Sequence, residues 1–405
     1  MTPRHRGVLA IDQGTTGTTC LVVDPDGRVI GRAYREITQH FPRPGWVEHD
    51  PVEIFDRSLE AAREAVAAAD IVPSAIGIVN QRETVVAWER DRPREAPHAI
   101  VWQDRRTADR CVELAPHAAE IAAATGLTVD PYFSAAKAAW LLREHGWHDR
   151  ARRGEVLIGT IDTWLLWNLT GGRVYATEPT NASRTSLYDI NTHEWSDAMC
   201  ALFGVPREAL AAVQPSAGVF GTTDAVLFDA AIPIAGVAGD QQAALFGQGC
   251  WLAGEAKNTY GTGAFLLLNA GGDRPAGGGG LLTTIACDAR GAPCYALEAA
   301  IFVAGAAIQW LRDGLGIITT AGESESLARS VRSTEGVYFV PALTGLGAPH
   351  WEPQARGTIV GLTRGTTRAH LVRAALEAMA YATDEVLSDM RRHSGASVDA
   401  LRVDG

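Results

Sequence analysis

The chain has 405 residues, 46% of them hydrophobic and 20% charged, which is enough to build two or three domains, each with its own core. A formal net charge of −11 argues against nucleic acid or an anionic membrane as the main partner, so an anionic ligand must be held by local donors and metal. No apolar run is long enough to span a bilayer and no N-terminal signal-type segment is present, so the expected compartment is the cytoplasm.

The first element is an apolar strand, Val8 to Ile11, that ends at Asp12 and enters the turn Gln13-Gly14-Thr15-Thr16-Gly17-Thr18. A second apolar run, Cys20 to Val23, leaves it. Small residues and hydroxyls at such a bend let a phosphate chain approach backbone N–H groups, and Asp12 is placed to hold the accompanying magnesium. A ligand-free hairpin with a tight turn fits the same residues.

Val29 to Ile37 alternates as a third strand, and Asp50-Pro51-Val52-Glu53 is a helix start with Asp at the N-cap and Pro at N1. That helix runs to about Ala69 and buries Ile54, Phe55, Leu59 and Val66. Two strands, Ala75 to Val79 and Val85 to Trp88, flank Asn80-Gln81-Arg82-Glu83-Thr84, which by itself reads as a solvated hairpin tip. A strand at Ile100 to Trp102 leads to an alanine-rich helix over 107–124. Ser134 is expected to cap a helix to His145, and Asp162 to cap another after the strand Val156 to Ile161. Two short helices fall in 193–213, and the strand Ile232 to Val237 delivers Asp240-Gln241-Gln242 to the start of an apolar helix.

The opening pattern then recurs. Ala256 to Leu268 is strand, turn (Gly261-Thr262-Gly263) and strand again. A further hairpin is centred near Arg290, helices are expected at 299–313 and 323–332, strands at 337–341 and 358–362, and a long helix at 367–393. Two hairpins of one type, each opening a half of the chain, imply a duplicated pair of α/β domains, 1–251 and 252–405, around a central cleft. Six scattered cysteines without a C-x-x-C pair suggest reduced thiols, and lysine occurs only at Lys137 and Lys257.

Asp12-Gln13-Gly14-Thr15-Thr16, Asn80 to Thr84, Gly239 to Gly247, Asn258 to Gly263 and Thr180-Asn181-Ala182-Ser183-Arg184-Thr185 together resemble the FGGY carbohydrate kinases, in particular members acting on glycerol. The resemblance covers essentially the whole chain. It implies an α/β fold of two duplicated ribonuclease-H-like domains, as in actin, hexokinase and Hsp70 ATPases, with the second domain incomplete at its C-terminus. The activity implied is ATP-dependent phosphorylation of glycerol to sn-glycerol 3-phosphate with Mg2+. A homodimer or homotetramer is the implied assembly. On this resemblance Arg82, Glu83, Tyr132, Asp240 and Gln241 form the polyol site with Trp102 and Phe265 as its apolar wall, and Asp240 is the general base. Gly14, Thr15, Thr16 and Gly17, with Gly261, Thr262, Gly263, Gly305 and Gln309, would hold ATP, and Asp12 the metal.

Two departures stand out: Thr19 occupies a position where the family usually has arginine, and Leu401 to Gly405 begins an adenosine motif whose remaining residues would lie further on. An impaired relative that binds polyol but not ATP productively is therefore the alternative expectation, and another sugar kinase of the same fold a third. The segment from Thr222 to Ile232 lacks the character linked to sugar-bisphosphate inhibition in some relatives.

Overall fold

The computed structural model describes residues 6–352, 354–395 and 397–405. The chain divides into two units, one running up to Ala243 and including Thr284–Pro293, the other made of Ala244–Thr283 and Cys294–Gly405.

In the first unit β1 (Val8–Gln13) and β2 (Gly17–Val23) form the expected antiparallel hairpin, and β3 (Val29–Glu36) adds to β2. Helix α1 (Pro51–Ala69) is capped by Asp50, whose carboxylate accepts from the N–H groups of Val52 and Glu53. It buries Ile54, Phe55, Ser58, Ala61, Ala62 and Ala65 at helical spacing, while Leu59 and Val66 are half-buried at the margin. Next come β4 (Ala75–Asn80), β5 (Val85–Glu89), α2 (Ser134–Glu144), β6 (Val156–Thr160), α3 (Ile161–Leu169), β7 (Ala217–Thr222), β8 (Pro233–Gly239) and α4 (Asp240–Gly247). The main sheet has the order β7-β8-β4-β1-β2-β3, with β1, β4 and β8 mutually parallel. Its core contains Leu9, Ile11, Val22, Ile76, Ile78 and Trp164, each fully buried aliphatic contributing about 1.5–3 kcal/mol.

The second unit repeats the pattern. Strand β9 (Ala256–Tyr260) turns into antiparallel β10 (Ala264–Gly271), β11 (Pro293–Ile301) pairs antiparallel with β10, and β12 (Leu401–Asp404) runs parallel to β9. These pairings and directions repeat those of β1, β2, β3 and β4, except that an additional edge strand, Leu282–Cys287, comes between β10 and β11 in the chain. Helices α5 (Gly305–Asp313) and α6 (Arg368–Ser394) complete the elements used below.

Several local expectations give way to tertiary partners. The helix expected over 107–124 is two, Ala108–Leu114 and Ala118–Thr125, joined by a 3-10 turn where Pro116 has no N–H to donate. Ser134 is not a cap: it is the first residue of α2, and its Oγ donates to the Glu83 carbonyl, 2.9 Å. Asp162 lies inside α3 and accepts from the hydroxyls of Thr160 (2.5 Å) and Thr177 (2.6 Å). Residues 299–301 continue strand β11, so the helix that follows starts at Gly305, and the next is Glu323–Arg329. The strand expected at Ile100 to Trp102 is only Ala99–Ile100, and 193–213 holds one helix, Asp197–Phe203, and one 3-10 turn, Arg207–Ala209. The largest correction concerns Asn80 to Thr84. All five residues are buried, and β4 and β5 belong to different sheets, so this is a buried polar bridge rather than a solvated tip.

Candidate active site

The parallel strands bring three sequence-distant segments to one edge. Gln13 pairs with Asn80, and Asn80 with Gly239, so the residues just past β1, β4 and β8 emerge side by side. The carboxyl end of parallel strands is where open α/β sheets place ligands, because the chain leaves the sheet there with its polar groups unspent.

Past β4 the backbone turns sharply. Glu83 has φ +60°, and the Thr84 N–H donates to the Arg82 carbonyl across it at 2.7 Å. A buried non-glycine residue in this region stores strain that its surroundings must hold. They do so through the Glu83 carboxylate, which accepts from Arg184 Nε at 2.6 Å, and its carbonyl, which accepts from Ser134. Arg82 is 3% exposed; its Nε lies 3.3 Å from Asp240 Oδ1 and 3.9 Å from Glu83 Oε1, and its Nη1 donates to Gln242 Oε1 at 3.1 Å. Asp240 opens α4, and its side chain is about one-third exposed (37%) where that of Arg82 is sealed. The Gln241 N–H donates to Asp240 Oδ1 at 2.7 Å, fixing the carboxylate. Paired carboxylates, a guanidinium and an amide facing one point suit a small poly-hydroxyl compound.

An apolar wall stands beside them. The Trp102 and Tyr132 rings meet edge to face, 5.6 Å between centroids, and the Trp102 indole donates to Thr15 Oγ1 at 2.9 Å. That bond ties the wall to the first turn, which the Gly14 N–H closes on the Gly17 carbonyl at 2.9 Å. A Cβ on Gly17 would lie 2.4 Å from the Arg35 carbonyl oxygen, so only glycine fits there. Asp12 reaches solvent, yet enough protein surrounds it that its pKa rises to about 6, through desolvation first and the Asp240 carboxylate second. Thr19 lies directly across the hairpin from Asp12.

The second unit gathers its own candidates. The Gly261 N–H donates to the Gly263 carbonyl at 2.8 Å, and the N–H groups of Gly305 and Ala306 at the start of α5 donate to Gly261 (3.0 Å) and Thr262 (3.0 Å). The turn therefore sits against a helix N-terminus, with exposed Gln309 one turn further along α5. A Cβ on Gly263 or Gly305 would come within 2.5 Å or 2.7 Å of a carbonyl oxygen. Phe265, half-buried on β10, pairs with Thr259 and Ala300.

A model for the N-terminal domain of the FGGY family of carbohydrate kinases matches residues 7–247, and the model for its C-terminal domain matches 256–405. The chain belongs to this family. As an FGGY kinase it is a phosphotransferase of two-domain α/β fold. It is 55% identical to glycerol kinase of Thermus brockianus, across 98% of this chain and 81% of that protein. It is 52% identical to glycerol kinase of Rhodopirellula baltica, across 100% of this chain and 77% of that one. A crystal structure of Plasmodium falciparum glycerol kinase with ADP superposes with a TM-score of 0.93 at 36% identity, covering 99% of this chain and 82% of that one.

Sequence reasoning on this FGGY kinase misses the support behind the site. Thr180 and Asn181 stand in a motif with no evident chemistry of their own, and nothing in the sequence singles out Glu178 beside them. In the structure the Thr180 hydroxyl accepts from the Gly239 N–H at 2.8 Å and donates to Glu178 Oε1 at 2.6 Å. The Asn181 amide pairs reciprocally with Asn80, 2.9 and 3.0 Å, and also donates to Glu178. Glu178, also bonded by Ser216, thus joins the arm carrying Arg82 to the arm carrying Asp240. Burial pushes its carboxyl up to about 7, against the pull of the Ser216 and Thr180 hydroxyls. A run of small polar residues beside an acidic one was the only available signal.

Proposed function

We propose that this chain transfers the γ-phosphoryl group of ATP to a primary hydroxyl of glycerol, giving sn-glycerol 3-phosphate and ADP. The observation that carries the reading is the buried Arg82 flanked by Glu83 and the partly open Asp240 at the ends of parallel strands, beside the Trp102–Tyr132 wall. Arg82 and Gln241 orient the hydroxyls and Glu83 accepts from them, while the Trp102–Tyr132 wall covers the carbons; Phe265 is a further proposed polyol contact. Asp240 accepts the hydroxyl proton as oxygen bonds to phosphorus and the bond to ADP breaks. Positioning and charge neutralisation do more here than base strength, because the transition state is loose.

The turns Gly14–Gly17 and Gly261–Gly263, with Gly305 and Gln309, are the proposed phosphate and nucleotide contacts. Burial first, and the Asp240 carboxylate second, raise the Asp12 pKa, and a hard carboxylate donor of this kind fits Mg2+, which when bound would neutralise charge on the phosphates. The test is a coupled assay of ADP release by the 405-residue chain with and without glycerol. Glycerol-dependent release is expected; glycerol binding without it overturns the transfer step, and no glycerol binding overturns the whole reading.

A further inference from the structure

Among 36 lysine and arginine residues only Lys137 and Lys257 are lysines, and both are fully buried, at 0% exposure. Arginine has taken the cationic positions everywhere else. A compact ammonium on a flexible stem is suited to donating to two backbone carbonyls at once.

Lys137 is the fourth residue of α2, which packs behind the site through Ser134. Its Nζ donates to two backbone carbonyls, Trp102 at 3.0 Å and Tyr132 at 3.0 Å. These two residues supply the edge-to-face ring pair of the apolar wall. The segments that carry them belong to separate loops, and one amine bridges both. Lys257 makes a comparable bond in the second unit, from its Nζ to the carbonyl of Phe265 at 3.3 Å.

We propose that Lys137 is a positioning residue for the polyol site: by binding the Trp102 and Tyr132 carbonyls together it sets the spacing of the rings against which the substrate's carbons lie. This rests on the glycerol reading above. Burial draws the amine down to about 7, against the raising influence of Asp104, Glu83 and Asp130, yet the neutral and charged forms both keep two N–H donors for the two carbonyls. The device therefore works across the neutral range.

The test uses Lys137→Met, which keeps the apolar stem, and Lys137→Gln, whose amide can still serve one carbonyl. Glycerol affinity is measured by calorimetry on the full chain, with the KM for each substrate and kcat. The expected result is glycerol binding weakened about tenfold or more in Lys137→Met and less in Lys137→Gln, with nucleotide KM unchanged and kcat at saturating glycerol within roughly threefold. A folded variant that binds glycerol within about twofold of the parent overturns the proposal. So does a parallel loss in both KM values and kcat, which marks a merely structural lysine. If Lys137→Met does not fold, Lys137→Gln carries the same comparison. A parent chain that itself fails to bind glycerol refutes the function instead, and the two failures are thereby told apart.

Discussion

Gly239→Ala isolates the packing on which the site depends. Gly239 ends β8, immediately before Asp240, and it does not have a positive φ, so alanine meets no backbone penalty there. What it meets is Arg82: the new Cβ would lie 2.7 Å from Cδ, 2.8 Å from Cγ and 3.2 Å from Gln242 Oε1. Arg82 is 3% exposed and gripped at its far end, so its middle carbons have nowhere to go without breaking the contact with Asp240. Overpacking of this kind costs about 1–3 kcal/mol, and the reduced freedom of the unfolded chain returns about 0.4–1. A net loss of roughly 1–2 kcal/mol in urea unfolding is expected. Calorimetry should show glycerol binding at least about tenfold weaker, a loss of roughly 1.4 kcal/mol. Gly77→Ala, on β4 in the same sheet, is the control: its Cβ would have no atom within 4 Å. There a change within about 0.5 kcal/mol and unaltered binding are expected. If Gly239→Ala folds and binds glycerol like the parent, Arg82 does not need its observed position and the site is wrongly assigned.

Asp240→Asn should lower turnover by about a hundredfold or more while glycerol affinity stays within a few-fold, since the amide still accepts but takes no proton; surviving turnover removes Asp240 as the base. Thr180→Val leaves the Gly239 N–H without its acceptor and should lower kcat about tenfold, whereas Thr180→Ser keeps the hydroxyl and the rate. Equal rates in the two variants would show that this bond positions nothing. Lys137 also gives the stability a pH signature. The folded chain releases its proton near 7 and the unfolded chain near 10.5, so between these values the unfolded state binds more protons and stability rises with pH. Urea midpoints from pH 7 to 10 should rise for the parent relative to Lys137→Met, and parallel curves would contradict the burial of a titrating amine.

Sequence by itself determined the elements whose causes are local. The Asp50-Pro51 start of α1 and the two glycine-bearing hairpins each follow from neighbours within a few residues, which is why their bounds agree closely with the structure. The motif residues were legible as chemistry for the same reason: a carboxylate, a guanidinium and small turn residues can be read off a line of text. Only the tertiary structure decided what those groups do with each other. Ser134 obeys capping statistics, yet its hydroxyl bonds to the Glu83 carbonyl 51 residues away, and Asp162 lies inside its helix and accepts from nearby Thr160 and from Thr177. Asn80 to Thr84 has the composition of a solvated tip and is buried because its donors and acceptors are met by residues from other helices, strands and turns, Asn181, Gln13 and Gln242 among them. The contact between Arg82 and Gln242 joins residues 160 apart in the chain. No periodicity encodes such a meeting; the parallel pairing of β4 with β8 brings the two segments together.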